Sequence, residues 1–233
     1  MNEIAATPEK THQKRVGIER RERTRALLIR SAIGVFARLG PDAPVVDDFI
    51  AAAGVARGTF YNYFKTTHEL LAAVTEELNE EVLGMVDPQV LRYADPAARF
   101  CVGTRLYVHF ALRYPVWGAF LTRIGPAHAV RGRRMDRYLL RDLELGLASG
   151  RLRAGSAPVV RDMILGSVFY GIETMLAQGD GGGLHHVEAM LAIILHGIGL
   201  PDDEARAIAT MPLPDLGPVS SPVFATLKTA QDN

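Results

Sequence analysis

The chain has 233 residues, 48% of them hydrophobic and 22% charged, a balance that excludes a disordered chain and allows one large domain or two modest ones. Its 26 basic and 26 acidic side chains cancel, and the single cysteine, Cys101, excludes an internal disulfide framework and a cysteine-based zinc site. Residues 9–25 are dominated by Lys, Arg and Glu, unlike a signal peptide, and the most apolar stretch, Ala189 to Pro201, is too short for a bilayer of roughly 30 Å, so a cytoplasmic protein with no membrane partner is expected.

Residues 1–18 mix Thr, Pro, Glu, Lys and Gln without period and are expected to form a disordered, solvated basic arm, with Lys10, Lys14 and Arg15 available to a minor groove. From Glu19 to Leu39 the spacing predicts a helix with Leu28, Ala32, Val35, Phe36 and Leu39 on one stripe, stopped by Gly40 and Pro41. Its first turns carry Arg20, Arg21, Arg23 and Arg25. Cations there oppose the helix dipole, which favours contact of some of them with a phosphate backbone.

Val46, Phe49, Ile50 and Ala53 fall at i, i+3, i+4 and i+7, one apolar face of a two-turn helix. Gly54 follows, the residue that takes the left-handed C′ conformation at least cost and lets a second helix leave steeply. In that second helix Val55, Phe60 and Phe64 are spaced to pack inward. Arg57, Thr59, Tyr61, Asn62 and Tyr63 remain outside. Two short helices, a glycine turn and a polar, aromatic outer face describe a helix-turn-helix, whose second helix enters the major groove of DNA.

Thr66 is placed to cap the next helix with Glu69 at N3, and Leu71, Val74, Leu78, Val82 and Met85 form its buried stripe up to Asp87-Pro88. Asp95-Pro96 opens another helix, apolar on nearly its whole circumference and therefore buried on both sides, which ends near Tyr114-Pro115. A short helix from Val116 to Ile124 precedes Gly125-Pro126. A long one is expected from Ala127 to Ser149, with Tyr138, Leu139, Leu143 and Leu147 inside. Its arginines 131, 133, 134, 137 and 141 alternate with Asp136, Asp142 and Glu144, which favours pairs along the helix over DNA contact.

After a turn between Gly150 and Gly155, Ser156 can cap a helix from Ala157 to Gln178 with Val160, Ile164, Val168, Gly171, Ile172 and Met175 inward. The glycines of 179–183 form a loop before a helix carrying Val187, Met190, Leu191, Ile194, Leu195 and Ile198. Helices 157–178 and 184–198 make an antiparallel pair suited to packing against a second copy, the simplest route to a homodimer. A short helix from Asp202 to about Thr210 and a Pro-rich tail over 212–233 complete the chain.

The string from Gly40 through Ala53-Gly54-Val55, then Gly58-Thr59-Phe60-Tyr61-Asn62-Tyr63-Phe64 and Glu69-Leu70, resembles the DNA-binding module of the TetR family of transcriptional regulators over roughly residues 20 to 70. The resemblance implies an all-α homodimer: an N-terminal three-helix DNA-binding domain, here 19–65, followed by a larger helical ligand-binding and dimerisation domain, here 66–211. It further implies a repressor released from its double-stranded DNA operator by a small molecule. Pro44-Val45 replaces the family's capping Thr, so the N–H groups there need another acceptor, such as Asp42 or a phosphate. Thr67 stands where most members have a phosphate-contacting Lys, with Lys65 two residues earlier.

The charge distribution agrees, since residues 1–65 carry 11 Lys/Arg against 7 Asp/Glu and the remainder 15 against 19. In such a module Arg57 offers its guanidinium to a guanine edge and Tyr61 and Asn62 reach neighbouring bases, while Thr59, Tyr63 and Lys65 hold phosphates, with Tyr63 as a buttress of the motif the alternative for that residue. In the larger domain Tyr107, Trp117, Phe120, Tyr138, Phe169 and Tyr170 are candidate walls of a largely apolar effector site, and Glu173, in an apolar stretch, is its candidate polar group or a partner for an Arg of the second copy. Nucleophile-elbow, phosphate-loop and His-Glu-x-x-His signatures are absent from the sequence, and the adjacent His185-His186 diverge on a helix, so no enzyme, cofactor or metal site is expected. Two rival readings are a carrier or enzyme with a relic DNA module, and a structural DNA-binding protein that needs no ligand.

Overall fold

The computed structural model describes residues 8–130, 133–178, 184–216 and Phe224. Among them every regular element is a helix, as expected: α1 (Pro8–Leu39), α2 (Val46–Ala53), α3 (Arg57–Tyr61), α4 (Thr67–Val90), α5 (Pro96–Arg113), α6 (Pro115–Ile124), α7 (Pro126–Ala129), α8 (Arg134–Ala148), α9 (Ala157–Ala177), α10 (His185–Gly197) and α11 (Asp202–Ala209).

The first helix starts at Pro8, well ahead of Glu19, so most of the arm expected to be disordered is helical. Its lack of an apolar period hid this. A proline opening followed by Glu, Lys, Gln and Arg is favourable to helix by propensity alone once a buried segment downstream nucleates it. Leu28, Ala32, Val35 and Phe36 are buried as predicted, whereas Leu39, at the last position before Gly40, is 41% exposed. Gly54 caps α2 at φ 64°, ψ 36°, and Phe60 and Phe64 pack beneath α3, with the Phe49 and Phe60 rings stacked 6.3 Å apart. At the start of α2 the Val45 N–H donates to Asp48 (2.8 Å), not to Asp42, which pairs instead with Arg123 of α6.

Thr66 Oγ1 accepts from the Glu69 N–H (3.1 Å), and the Glu69 carboxylate accepts from the Lys65 N–H. Asp87-Pro88 does not end α4: the helix runs on to Val90, because a proline in the last turn forfeits a single bond to the preceding turn. The helix expected over 127–149 is two, α7 and α8. The chain leaves helical geometry at the buried Val130 (φ −124°, ψ −50°), just before Gly132 in sequence, where helix is costly.

Helix α5 lies at the centre, against α4, α6, α8, α9, α10 and α11, which accounts for its all-round apolar sequence. The buried residues of the first three helices and of the larger bundle form one continuous apolar cluster, joined where Phe36 meets Phe120 (ring centroids 5.7 Å apart). The glycine loop at 179–183 and most of the Pro-rich tail lie outside the described residues. Phe224 belongs to the core, 4.8 Å from the Tyr114 ring and 6.0 Å from that of Trp117. No described helix is long and apolar enough to cross a membrane.

Candidate DNA-reading face and effector cavity

The six residues proposed to meet DNA lie on and just after α3, between Arg57 and Lys65. Arg57 is the first residue of α3, exposed, and its Nη2 donates to Asp47 of α2 at 2.5 Å. The Asp47 hydrogen bond and charge raise the Arg57 pKa further above neutrality. Tyr61, 48% exposed, stands edge-on to Phe60, and Asn62 and Lys65 are exposed. Thr59 and Tyr63 are half-buried. The guanidinium of Arg21 lies 6.0 Å over the Tyr63 ring and that of Arg25 5.6 Å over Phe64. An open groove between α1 and α3 is lined by Gly17, Arg20, Arg21 and Thr24 on one side and Thr59, Asn62 and Tyr63 on the other.

In the larger bundle α4, α5, α8 and α9 enclose a cavity of about 70 Å³. Its walls are mostly apolar, with Leu83, Val86, Phe100 and Ile164 among them. The polar end is a network built on Arg141, which donates to Asp87 of α4 (2.9 Å) and to both oxygens of its neighbour Asp142 (2.9 Å each), while its guanidinium lies 5.0 Å over the Tyr138 ring. Arg99 of α5 approaches Asp142 at 3.7 Å. The hydrogen bond with Asp142, with that of Asp87 behind it, raises the Arg141 pKa against the opposing effect of burial. Tyr107, also in the wall, donates to Asn79 Oδ1 (2.8 Å), and Asn79 Nδ2 donates to the Ala129 carbonyl (3.2 Å). Burial pushes the Tyr107 hydroxyl well up.

Of the seven residues predicted for the effector site, the structure brings Tyr107 and Tyr138 to this cavity. Trp117, Phe120 and Phe169 are buried core residues outside its lining, Trp117 packing edge-on to Tyr107 at 5.1 Å. Tyr170 is 73% exposed and Glu173 is also exposed. Both stand on the outward side of α9, because this helix is apolar on two faces and burial cannot be read from sequence hydrophobicity there.

Sequence reasoning missed Asp87, Arg99, Arg141 and Asp142. Pro88 reads as a helix end, which hides Asp87, and the α8 arginines read as partners within their own helix. Arg141 and Asp142 do pair in that way, but Arg141 also reaches Asp87 of α4, Arg133 and Arg134 reach Glu76 and Glu80 of α4, and Asp136 receives Arg161 of α9. The available signal was Asp142 beside the inward Leu143, a carboxylate at a buried register. His185 meets Glu188 at 3.2 Å, and no cluster of three potential metal ligands occurs among the described residues.

Comparison with known proteins identifies this arrangement. Residues 28–74 match the family of bacterial regulatory proteins, tetR family, and residues 95–211 match the tetracyclin repressor-like C-terminal domain. The chain is 32% identical to RolR, whose structure in complex with the ligand resorcinol covers 86% of this chain and is itself covered completely, with a TM-score of 0.76. A TetR-family regulator of Pectobacterium atrosepticum is 26% identical over 77% of this chain and 96% of its own, with a TM-score of 0.58. The HTH-type transcriptional regulator YvdT of Bacillus subtilis is 34% identical over 59 residues, 25% of this chain and 30% of that regulator. The chain belongs to the TetR family of helix-turn-helix transcriptional regulators. It is a DNA-binding regulator.

Proposed function

We propose that two copies of this chain bind a double-stranded operator as a repressor, and that a small hydroxylated aromatic molecule releases them. The observation that carries the reading is Arg141 held between Asp87 and Asp142 at the end of an otherwise apolar cavity. Apolar walls suit a ring. A phenolic hydroxyl can donate to a carboxylate and accept from a guanidinium, so it can enter this network without orphaning a charge. The relationship to RolR, which binds resorcinol, supports the same ligand class.

At about 70 Å³ the cavity is below the roughly 150 Å³ that takes up benzene in an engineered protein core. A ligand ring therefore favours a wider state, in which α8 and α4 separate. Helix α4 carries Asn79 at its middle and Asp87 near its C-terminal end and follows the DNA-reading face directly at its N-terminal end, so widening the cavity changes the placement of the readers. The ligand then acts by its differential affinity for the two states.

On DNA, Arg57 faces a guanine edge and Tyr61 and Asn62 meet neighbouring bases, with Thr59, Tyr63 and Lys65 on phosphates and the two α3 helices about 34–36 Å apart. Val159, Met163 and Tyr170 of α9 (67%, 43% and 73% exposed) fall on one outward stripe with the small Gly166, and Ile193 of α10 is 74% exposed. An apolar surface of this kind suits the expected dimer through α9 and α10.

The test is calorimetric titration of resorcinol and benzene into the purified protein, with fluorescence anisotropy on DNA flanking its own gene. Saturable resorcinol binding at least tenfold tighter than benzene, together with release of the DNA, is expected. Equal binding of both, or resorcinol binding that leaves the DNA complex intact, overturns the assignment.

A further inference from the structure

Asp47 is an exposed acidic residue paired with Arg57, a residue proposed to read DNA, and a carboxylate there weakens binding to any DNA. It sits in the first turn of α2, and its Oδ1 accepts from Nη2 of Arg57, across the Gly54 turn, at 2.5 Å. Both side chains are more than half exposed, 55% for Arg57 and 63% for Asp47, so the pair contributes little to holding α2 against α3. Phe49, Phe60 and Phe64 do that. A contact that the fold does not need, made by a charge that opposes DNA binding, calls for a different use.

We propose that Asp47 is a positioning residue for base reading: it holds the Arg57 guanidinium in one orientation, so that the pair, and not Arg57 alone, selects guanine. The inference rests on the DNA-reading role given to Arg57 above. A guanidinium has five N–H donors in a rigid plane, and Asp47 occupies one hydrogen of Nη2. The remaining donors include a two-hydrogen edge able to span O6 and N7 of guanine. Without the carboxylate the same side chain is free to swing onto a phosphate, where it gains affinity for every sequence alike. Asp47 thus lowers general affinity and raises discrimination, a trade that specific interfaces make with repulsive elements.

The experiment is selection from a duplex DNA library with a randomised core, performed with the full chain as wild type, Arg57→Ala, Asp47→Ala, Asp47→Asn and Asp47→Glu. Anisotropy on scrambled DNA is measured alongside. Wild type is expected to enrich a site with a sharp guanine preference, and Arg57→Ala to lose that preference at one position per half-site. Asp47→Ala is expected to reduce the preference about tenfold at that same position alone, to bind scrambled DNA more tightly, and to be corrected by Asp47→Glu. Asp47→Asn keeps the side-chain size and provides the same reading should Asp47→Ala fold poorly.

A guanine position as sharp in Asp47→Ala and Asp47→Asn as in wild type, or a loss spread evenly over all positions, overturns the positioning role while leaving the DNA-reading role of Arg57 in place. A wild type that enriches no sequence overturns the DNA-reading assignment itself, and the proposal with it.

Discussion

Arg57 and Arg141 are both guanidiniums held by aspartates, one on the DNA-reading face and the other at the end of the cavity. Arg57 meets Asp47 with both side chains more than half in water, where the attraction is screened and exchange for another anion is cheap. Arg141 is one-third exposed, but its partners Asp87 and Asp142 are 14% and 5% exposed, so this pair cannot open without leaving carboxylates poorly solvated. The same chemical pair is therefore a surface element ready to trade partners in one place and a structural joint between α4 and α8 in the other. A ligand that enters the joint has to offer equivalent hydrogen bonds, which is how a binding event there becomes a movement of helices.

The largest effect expected from this contrast is on stability. Arg141→Ala removes the cation from two carboxylates and is expected to cost about 3 kcal/mol in urea unfolding, with Arg99 at 3.7 Å compensating Asp142 only in part. Arg57→Ala is expected to leave the unfolding midpoint unchanged while losing the guanine preference at its one position per half-site. Equal midpoints for the two variants would break the distinction between joint and surface pair.

A smaller effect sharpens the account of the joint. Tyr107→Phe deletes the donor to Asn79 and leaves a buried amide oxygen unpaired, at a cost of about 1–2 kcal/mol in the same unfolding measurement. Because Asn79 also holds the Ala129 carbonyl, the variant is expected to raise hydrogen exchange around α7 and the middle of α4 and to leave α2 and α3 as in wild type. Uniform changes across all of these helices would mean that the cavity wall and the reader are not separable units.

The contrast also explains how much of the molecule was legible in its sequence. The DNA-reading module was legible because its signals are local: Gly54 at a left-handed turn, Phe49, Phe60 and Phe64 at helical spacing, and Thr66 and Glu69 at a helix start. Of its proposed contact residues, Thr59, Asn62 and Tyr63 line one groove against α1. The cavity was not legible, since its polar end joins Asp87, Arg99, Arg141 and Asp142 from three helices, and no pattern within one helix announces a partner on another that lies 54 residues away, as Asp87 and Arg141 do. Aromatics misled for the same reason. Trp117, Phe120 and Phe169 are ordinary core, whereas Tyr170 lies on the outward stripe of α9, and composition treats them alike.

A third arginine pair lies between the two extremes and gives the smallest predicted effect. Asp95, the cap of α5, accepts from the Ala97 N–H (3.0 Å) and from the fork of Arg151 (3.0 and 2.8 Å), and Arg151 also reaches Glu204 of α11. Partial burial alone would raise the Asp95 pKa, but the Arg151 and Ala97 hydrogen bonds outweigh it and hold the carboxyl below the ordinary aspartate range. A folded-state pKa below the unfolded one means that the unfolded chain binds the proton more readily. The stabilisation is then complete above the unfolded value, near 3.9, and is lost as the pH falls through the folded one. Asp95→Asn keeps an N-cap acceptor for Ala97 but cannot ionise, so it is expected to cost about 1 kcal/mol at neutral pH and to draw level with wild type as the pH falls through the depressed folded-state value of Asp95. Parallel acid-unfolding curves for the two proteins would mean that the Arg151 fork holds its geometry without contributing charge, which would place this joint with the surface pair of Arg57 and not with that of Arg141.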